Sequence, residues 1–419
     1  MIKCISSGLV YRNPRPELRA VHAWHPSIVA FDDGELVATF DLGQGPESLD
    51  YATYVSRSLD GGNSWQEPQR MFAAPPAENT THSLRVSRLK DGRLTGLGGL
   101  FHRAGPDEGL INQDNLGYCP MNLVTAISSD RGRTWSAPAK IDPPLVGPAF
   151  EACSPIRELS DGRWLAPMST WKGRDGAAPN GMQAVALVSH DQGRTWPEYM
   201  PIMNGYDQGV IHWEQSLAEL PGGRLLVVAW AYHEPSGETR PSPYAIAVDG
   251  KTFSPARLTG YLGQTAKILC LADGRILCLY RSNDGSGLRG CLARIDGEQW
   301  ITLSDTVLWD GAPSGMEGKG PAGAQLSALR FGYPSRSSSP AARCSPCSGA
   351  RKTASTTSAG CGLRSTDATG LRIRASWTWQ LHRRKVEPVV EPAVGEVAGR
   401  GRQYVTAAVV VEAYSVACA

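Results

Sequence analysis

Six of the chain's eight histidines, His22, His25, His82, His102, His212 and His233, stand at the ends of apolar runs instead of being scattered. The same run ends carry Trp24, Asp41, Arg85, Arg103, Glu151, Trp171, Trp213, Glu214, Trp230, Tyr232, Gln264, Arg281 and Tyr333, with Glu47 and Asp50 in the loop after the first pair of runs. Carboxyl groups and imidazoles are the usual proton donors and acceptors of catalysis. Indole faces suit a sugar ring, and guanidinium groups pair with carboxylates. The expected site is therefore polar and fits a carbohydrate, held by His22, His25, His82, Arg85, Glu151, Trp171, His212, Trp230 and Arg281. No close pair of ligand residues at helical spacing points to a metal, and nothing calls for a cofactor.

Such residues need elements that bring distant run ends together, and two interleaved repeats supply them. The first is an octet, seen as Ser58-Leu59-Asp60-Gly61-Gly62-Asn63-Ser64-Trp65, as Ser128-Ser129-Asp130-Arg131-Gly132-Arg133-Thr134-Trp135 and as Ser189-His190-Asp191-Gln192-Gly193-Arg194-Thr195-Trp196. Shortened copies surround Asp249 and Asp296. Each reads as a hairpin turn in which Asp caps backbone N–H groups, Gly supplies a positive φ and the aromatic ring packs beneath. The second repeat is strand, turn, strand, with turns Asp33-Gly34, Asp91-Gly92, Asp161-Gly162, Gly222-Gly223 and Asp273-Gly274. The order strand, turn, strand, loop, strand, Asp octet, strand describes one four-stranded propeller blade. A sixth copy begins at Phe331-Gly332-Tyr333. The chain is thus expected to be all-β, a six-bladed β-propeller over residues 1–335 in which the first strand of each blade lines a central channel.

The octet is the Asp box of the sialidase (neuraminidase) family, which this chain resembles through its BNR-type Asp-box repeats. The resemblance implies an exo-glycoside hydrolase that retains configuration through a Tyr nucleophile, an activating Glu and an Asp acid/base. Matched by position, these are Tyr333, Glu214 in His212-Trp213-Glu214-Gln215, and Asp50 before the first octet. The family also clamps a substrate carboxylate with three Arg. Where its first blade opens Arg-Ile-Pro, this chain has Trp24-His25-Pro26, so Arg19, Arg85, Arg103 and Arg281 are the remaining candidates for a terminal acidic sugar. Two other readings stay open: a polysaccharide lyase or inverting hydrolase working through His25, His82 or His212, and a carbohydrate-binding propeller without catalysis.

A formal net charge of +2 gives no reason to expect nucleic acid or an anionic membrane as partner. No run approaches 18 apolar residues, and the start lacks a secretory pattern, which points to the cytoplasm. Of the ten Cys, Cys270, Cys278 and Cys291 fall in strand-like runs and read as buried thiols. After Ser335 the composition shifts to Ser, Arg, Ala, Gly and Thr, and none of the seven Phe lies beyond Phe331. Back-translated with GC-rich codons and read one frame over, Arg336 to about Leu363 becomes an apolar strand, a Gly-Gly turn and two more strand-like runs. Residues 336–419 are therefore expected to be an anomalous, frameshifted or disordered tail that interrupts the last blade, with Cys4 to Tyr11 supplying that blade's outer strand.

Overall fold

The computed structural model describes residues 2–309, apart from 16–17, 46, 74–76, 146 and 284–286, together with the backbone of three later strands, Ser335–Ser338, Leu371–Leu381 and Gln403–Ala413. Tyr333, expected to open the sixth blade, and the remainder of the expected 336–419 tail lie outside the described residues.

The fold is all-β, and five antiparallel sheets form propeller blades in chain order. Blade one runs His22–Ala30, Leu36–Gly43, Ala52–Ser58 and Gln69–Arg70. Blade two runs Thr80–Arg88, Leu94–His102, Met121–Ser128 and Ala139–Lys140. In blade three the inner strand is broken into Ala149–Glu151 and Arg157–Glu158, followed by Trp164–Trp171, Ala184–Ser189 and Glu198–Met203. Blade four pairs Val210–Glu219, Leu225–His233, Pro243–Ala247 and Arg257–Leu258, and blade five Gly263–Cys270, Ile276–Ser282, Leu288–Asp296 and Gln299–Trp309. A further four-stranded sheet joins Ile2–Arg12, at one edge, to Gln403–Ala413, Leu371–Leu381 and Ser335–Ser338.

The turns behave as their residues require. In the first hairpin Gly34 adopts φ 91°, and Asp33 Oδ1 accepts the Glu35 N–H at 3.2 Å. In the second octet Asp130 accepts the Thr134 N–H at 2.9 Å, the Thr134 hydroxyl at 2.6 Å and the Ser128 hydroxyl at 2.9 Å. Asp60 and Asp191 repeat that pattern with Ser64 and Thr195. Between blades the core is Val, Leu, Ile and Ala from facing sheets, for example Leu165, Ala186 and Val188 against Leu217, Val227 and Ala245. Each fully buried Leu or Val contributes roughly 1.5–3 kcal/mol, so the blade-to-blade contacts carry the stability that holds the channel walls in place.

Candidate functional site

Three inner strands share one irregularity. In blade one the register slips between Trp24 and Ser27, in blade four between Trp213 and Ser216, and in blade five between Gln264 and Lys267. At each slip two residues face one on the neighbouring strand, and the first of the two has a left-handed backbone: His25 at φ 52°, Glu214 at φ 47° and Thr265 at φ 53°. Such bulges bend a strand and re-aim a side chain, and a positive φ at a residue other than Gly costs energy. Strain of this kind persists where the surroundings over-determine it, which is common at functional sites.

At the first bulge His25 Nδ1 lies 2.9 Å from Asp41 Oδ2 and 2.6 Å from the Tyr51 hydroxyl. Asp41 is fully buried and also accepts from Tyr51 at 3.0 Å, Thr53 at 2.6 Å, Ser83 at 2.6 Å and Arg85 at 3.4 Å. Burial works against its charge, but the hydrogen bond from His25 and the Arg85 guanidinium prevail and lower its pKa. The His25 pKa is lowered by burial and by Arg85, with Asp41 pulling the other way.

At the second bulge the Glu214 N–H donates to Glu151 Oε2 at 3.0 Å. Glu214 Oε2 is buried and meets no hydrogen-bond donor among the described residues. Burial, reinforced by the neighbouring Glu151 carboxyl, pushes the Glu214 pKa up to about 7 against the pull of Arg281 and Lys267. Burial also raises Glu151. At the third bulge the Arg281 Nε donates to Gln264 Oε1 at 2.8 Å, and burial pushes the guanidinium down to about 10. Lys267 Nζ reaches Cys153 O and Sγ at 3.2 Å each and Ser154 Oγ at 3.0 Å. The buried carboxyls Asp41 and Glu151 and the half-buried Glu214 are thus set among the buried cations Arg85, Lys267 and Arg281. A carboxyl group whose pKa is raised toward neutrality can move protons near neutral pH.

The other expected residues are placed differently. His82 is buried with its ring edge on Phe72 at 4.9 Å, and burial pushes its pKa down to about 4. His212 is likewise pushed down to about 4 by burial. Both are buried, and His82 Nε2 and His212 Nδ1 meet no hydrogen-bond partner among the described residues. Trp171 and Trp230, expected as open platforms, sandwich Trp213 at 5.0 and 4.3 Å and are almost fully buried. Their N–H groups are taken by Leu116 O and Thr239 Oγ1. His22 is half-buried opposite Gly43. Asp50 is exposed and caps its own loop, accepting the Gln44 N–H at 3.0 and 3.2 Å and the Ser48 hydroxyl at 2.5 Å. Arg103 ties that loop down by donating to the carbonyls of Glu47 and Ser48. His102 and His233 are engaged by Asn122 and Ser236.

Sequence reasoning missed Tyr51 and Lys267 and gave Asp41 no role. A charge inside an apolar strand, as in Ala266-Lys267-Ile268 or Phe40-Asp41-Leu42, is the signal that was available. Among the described residues no group of His, Cys, Asp and Glu could hold a metal ion, and no helix is long and apolar enough to cross a membrane.

Residues 99–335 match the BNR repeat-like domain. A sialidase from Micromonospora viridifaciens is 29% identical over 216 residues, which are 48% of this chain and 32% of that protein, so the match spans about a third of that relative. A protein of unknown function from Dyadobacter fermentans superposes with a TM-score of 0.65 at 19% identity, over 98% of this chain and 99% of that one. The Trypanosoma rangeli sialidase gives 0.55 at 13% identity, over 93% of this chain and 54% of its own. A Hadza microbial sialidase gives 0.56 at 18%, over 79% and 63%. These structural likenesses are likenesses of fold.

Proposed function

The chain belongs to the BNR repeat-like domain family of sialidase-type propellers, and from that premise we propose that it is an exo-glycoside hydrolase removing a terminal acidic sugar from a glycan. The observation that carries the reading is Glu214, strained at φ 47° and with its pKa pushed up to about 7 by burial. A carboxyl group near that value accepts a phenolic proton better than an ordinary carboxylate does. Tyr333 would attack the anomeric carbon, Glu214 would take its proton, and Asp50 would protonate the departing oxygen. Arg281 and Arg85 supply positive charge for an acidic sugar. Ser335–Ser338, two residues past Tyr333 in the chain, packs against the inner strands of blades one and five, which supports a sixth blade that closes the ring.

The test is release of 4-methylumbelliferone from an α-sialoside and from aryl glycosides of uronic acids. Tyr333→Phe should abolish turnover while the circular dichroism spectrum is preserved. Undiminished turnover in that variant would overturn the retaining route.

A further inference from the structure

We propose that Lys267 is a positioning residue for Glu214: from blade five it reaches blade three and pins the Cys153–Ser154 segment against the Glu214 bulge of blade four. The assignment rests on the hydrolase reading above, which gives Glu214 its task, and adds the residue that keeps it in place.

The starting point is what the fold requires at this position. Ser27, Ser216 and Lys267 are the residues at which the register resumes after the three bulges. The Ser27 and Ser216 hydroxyls each accept an N–H from the inner strand of the next blade, Val86 at 3.1 Å and Ile268 at 3.0 Å. A hydroxyl therefore suffices where the position only joins blades. Lys267 is buried, and a buried ammonium is costly unless acceptors and negative charge surround it.

Both are present. The inner strand of blade three is interrupted between Glu151 and Arg157. Within that break Lys267 Nζ lies 3.2 Å from both Cys153 O and Cys153 Sγ and 3.0 Å from Ser154 Oγ. Ser154 has one hydroxyl hydrogen and gives it to the Gln215 carbonyl, so a lone pair takes the ammonium hydrogen. One residue earlier, the Glu214 N–H donates to Glu151 Oε2 at 3.0 Å. Blade three thus grips the bulge on both sides of the Glu214 Cα, and Lys267 fixes the segment that grips it. The charged and titratable groups around Glu214 are Glu151 and Cys153 from blade three, Arg85 from blade two, Lys267 and Arg281 from blade five, and Tyr118 from the loop before Met121–Ser128. Burial raises the proton affinity of Glu214 and of Glu151, and Lys267 opposes it at both.

The experiment compares Lys267→Met, which removes the charge and keeps an unbranched stem, with Lys267→Arg, which keeps the charge. The first readout needs no substrate: the infrared band of the protonated Glu214 carboxyl, identified by its loss in Glu214→Gln, is followed against pH. Its midpoint should rise by about one pH unit in Lys267→Met and stay near the wild-type value in Lys267→Arg. The second is turnover of an acidic aryl glycoside that the wild type accepts: in Lys267→Met kcat should fall about 100-fold with KM within about twofold. Ser154→Ala cuts the link to Gln215 and leaves the charge, so kcat should fall about tenfold with the infrared midpoint unmoved. If Lys267→Met does not fold, Lys267→Gln, polar and neutral, takes its place. An unmoved midpoint in the neutral variant overturns the assignment, as does wild-type kcat in both that variant and Ser154→Ala. If the wild type hydrolyses no acidic aryl glycoside, the hydrolase reading falls, and the infrared midpoint alone decides whether Lys267 governs Glu214.

Discussion

The Asp-box turns and the channel wall use the same functional group in opposite ways. At the turns Asp130 and Asp191 receive backbone and hydroxyl hydrogen bonds from Thr134 and Thr195, and their pKa values fall to about 2. At the blade-four bulge Glu214 loses water without gaining a donor at Oε2 among the described residues, and its pKa rises to about 7. The turn carboxylates stabilise the charged state and the fold together. The channel carboxyl is held in a state that the fold alone would not select. Donor count separates a structural acid from a reactive one more sharply than residue type does.

The contrast breaks most visibly at Glu214→Gln. If this carboxyl handles the nucleophile's proton, turnover should fall by about 10³-fold with the fold intact. A loss of less than tenfold, measured with the best aryl glycoside, would mean that the raised carboxyl is structural after all.

The same group should leave a mark on stability. Its folded pKa of about 7 lies above the ordinary value of 4.5, so the folded state holds this proton more tightly than the unfolded chain does. That contribution is complete below pH 4.5 and is lost as pH rises through 7, amounting to about 3 kcal/mol at roughly 1.4 kcal/mol per pKa unit. Urea unfolding at pH 4.5 and pH 8 should show the decline in the wild type and a flatter profile in Glu214→Gln. Equal slopes would place the carboxyl in a wetter environment than the structure shows.

Asp130 titrates in the opposite sense. With its pKa depressed from 3.8 to about 2, its contribution is present above pH 4 and disappears as pH falls through 2. Asp130→Ala removes the acceptor for Thr134 N–H, Thr134 Oγ1 and Ser128 Oγ, and should cost about 1–2 kcal/mol at pH 7. The cost should be a shift in thermal midpoint, leaving KM and kcat as they were. A change in kcat would show that the turn rim and the channel are coupled.

The two regions also differ in how far they could be read from the chain. Asp130 and Thr134 lie four residues apart, so chemistry and spacing are visible in one octet, and the blade order follows from its repetition. The site is assembled from contacts such as Asp41 with Ser83 and Glu214 with Glu151, 42 and 63 residues apart. His25, Glu214 and Arg281 could be marked as facing the channel because strand ends converge there. Trp171 and Trp230 stand at the same kind of position, yet their rings turn into the blade interface around Trp213. Strand-end position specifies where a Cα lies. A bulge decides where the side chain goes, and nothing local in Trp24-His25-Pro26 or Trp213-Glu214-Gln215 announces one.

The smallest effect is a backbone one, and it tests whether the bulge strain is specific to the channel. Left-handed backbone occurs in the Asp boxes too, at Arg131 and Gln192, where the first box has Gly61. Arg131 is bound to Asp33 and Glu35, so Gln192 is the cleaner probe. Its side chain accepts a long hydrogen bond of 3.4 Å from Arg93. Gln192→Gly should therefore remove an unfavourable φ at little loss and stabilise the protein by about 0.5–1 kcal/mol. At Thr265, whose side chain is buried at the third bulge, the same change to Gly relieves the φ but empties packed space, so the gain should vanish. A gain at Thr265 equal to that at Gln192 would show that the channel bulges carry strain without packing to hold it, and their role in aiming His25 and Glu214 would need another cause.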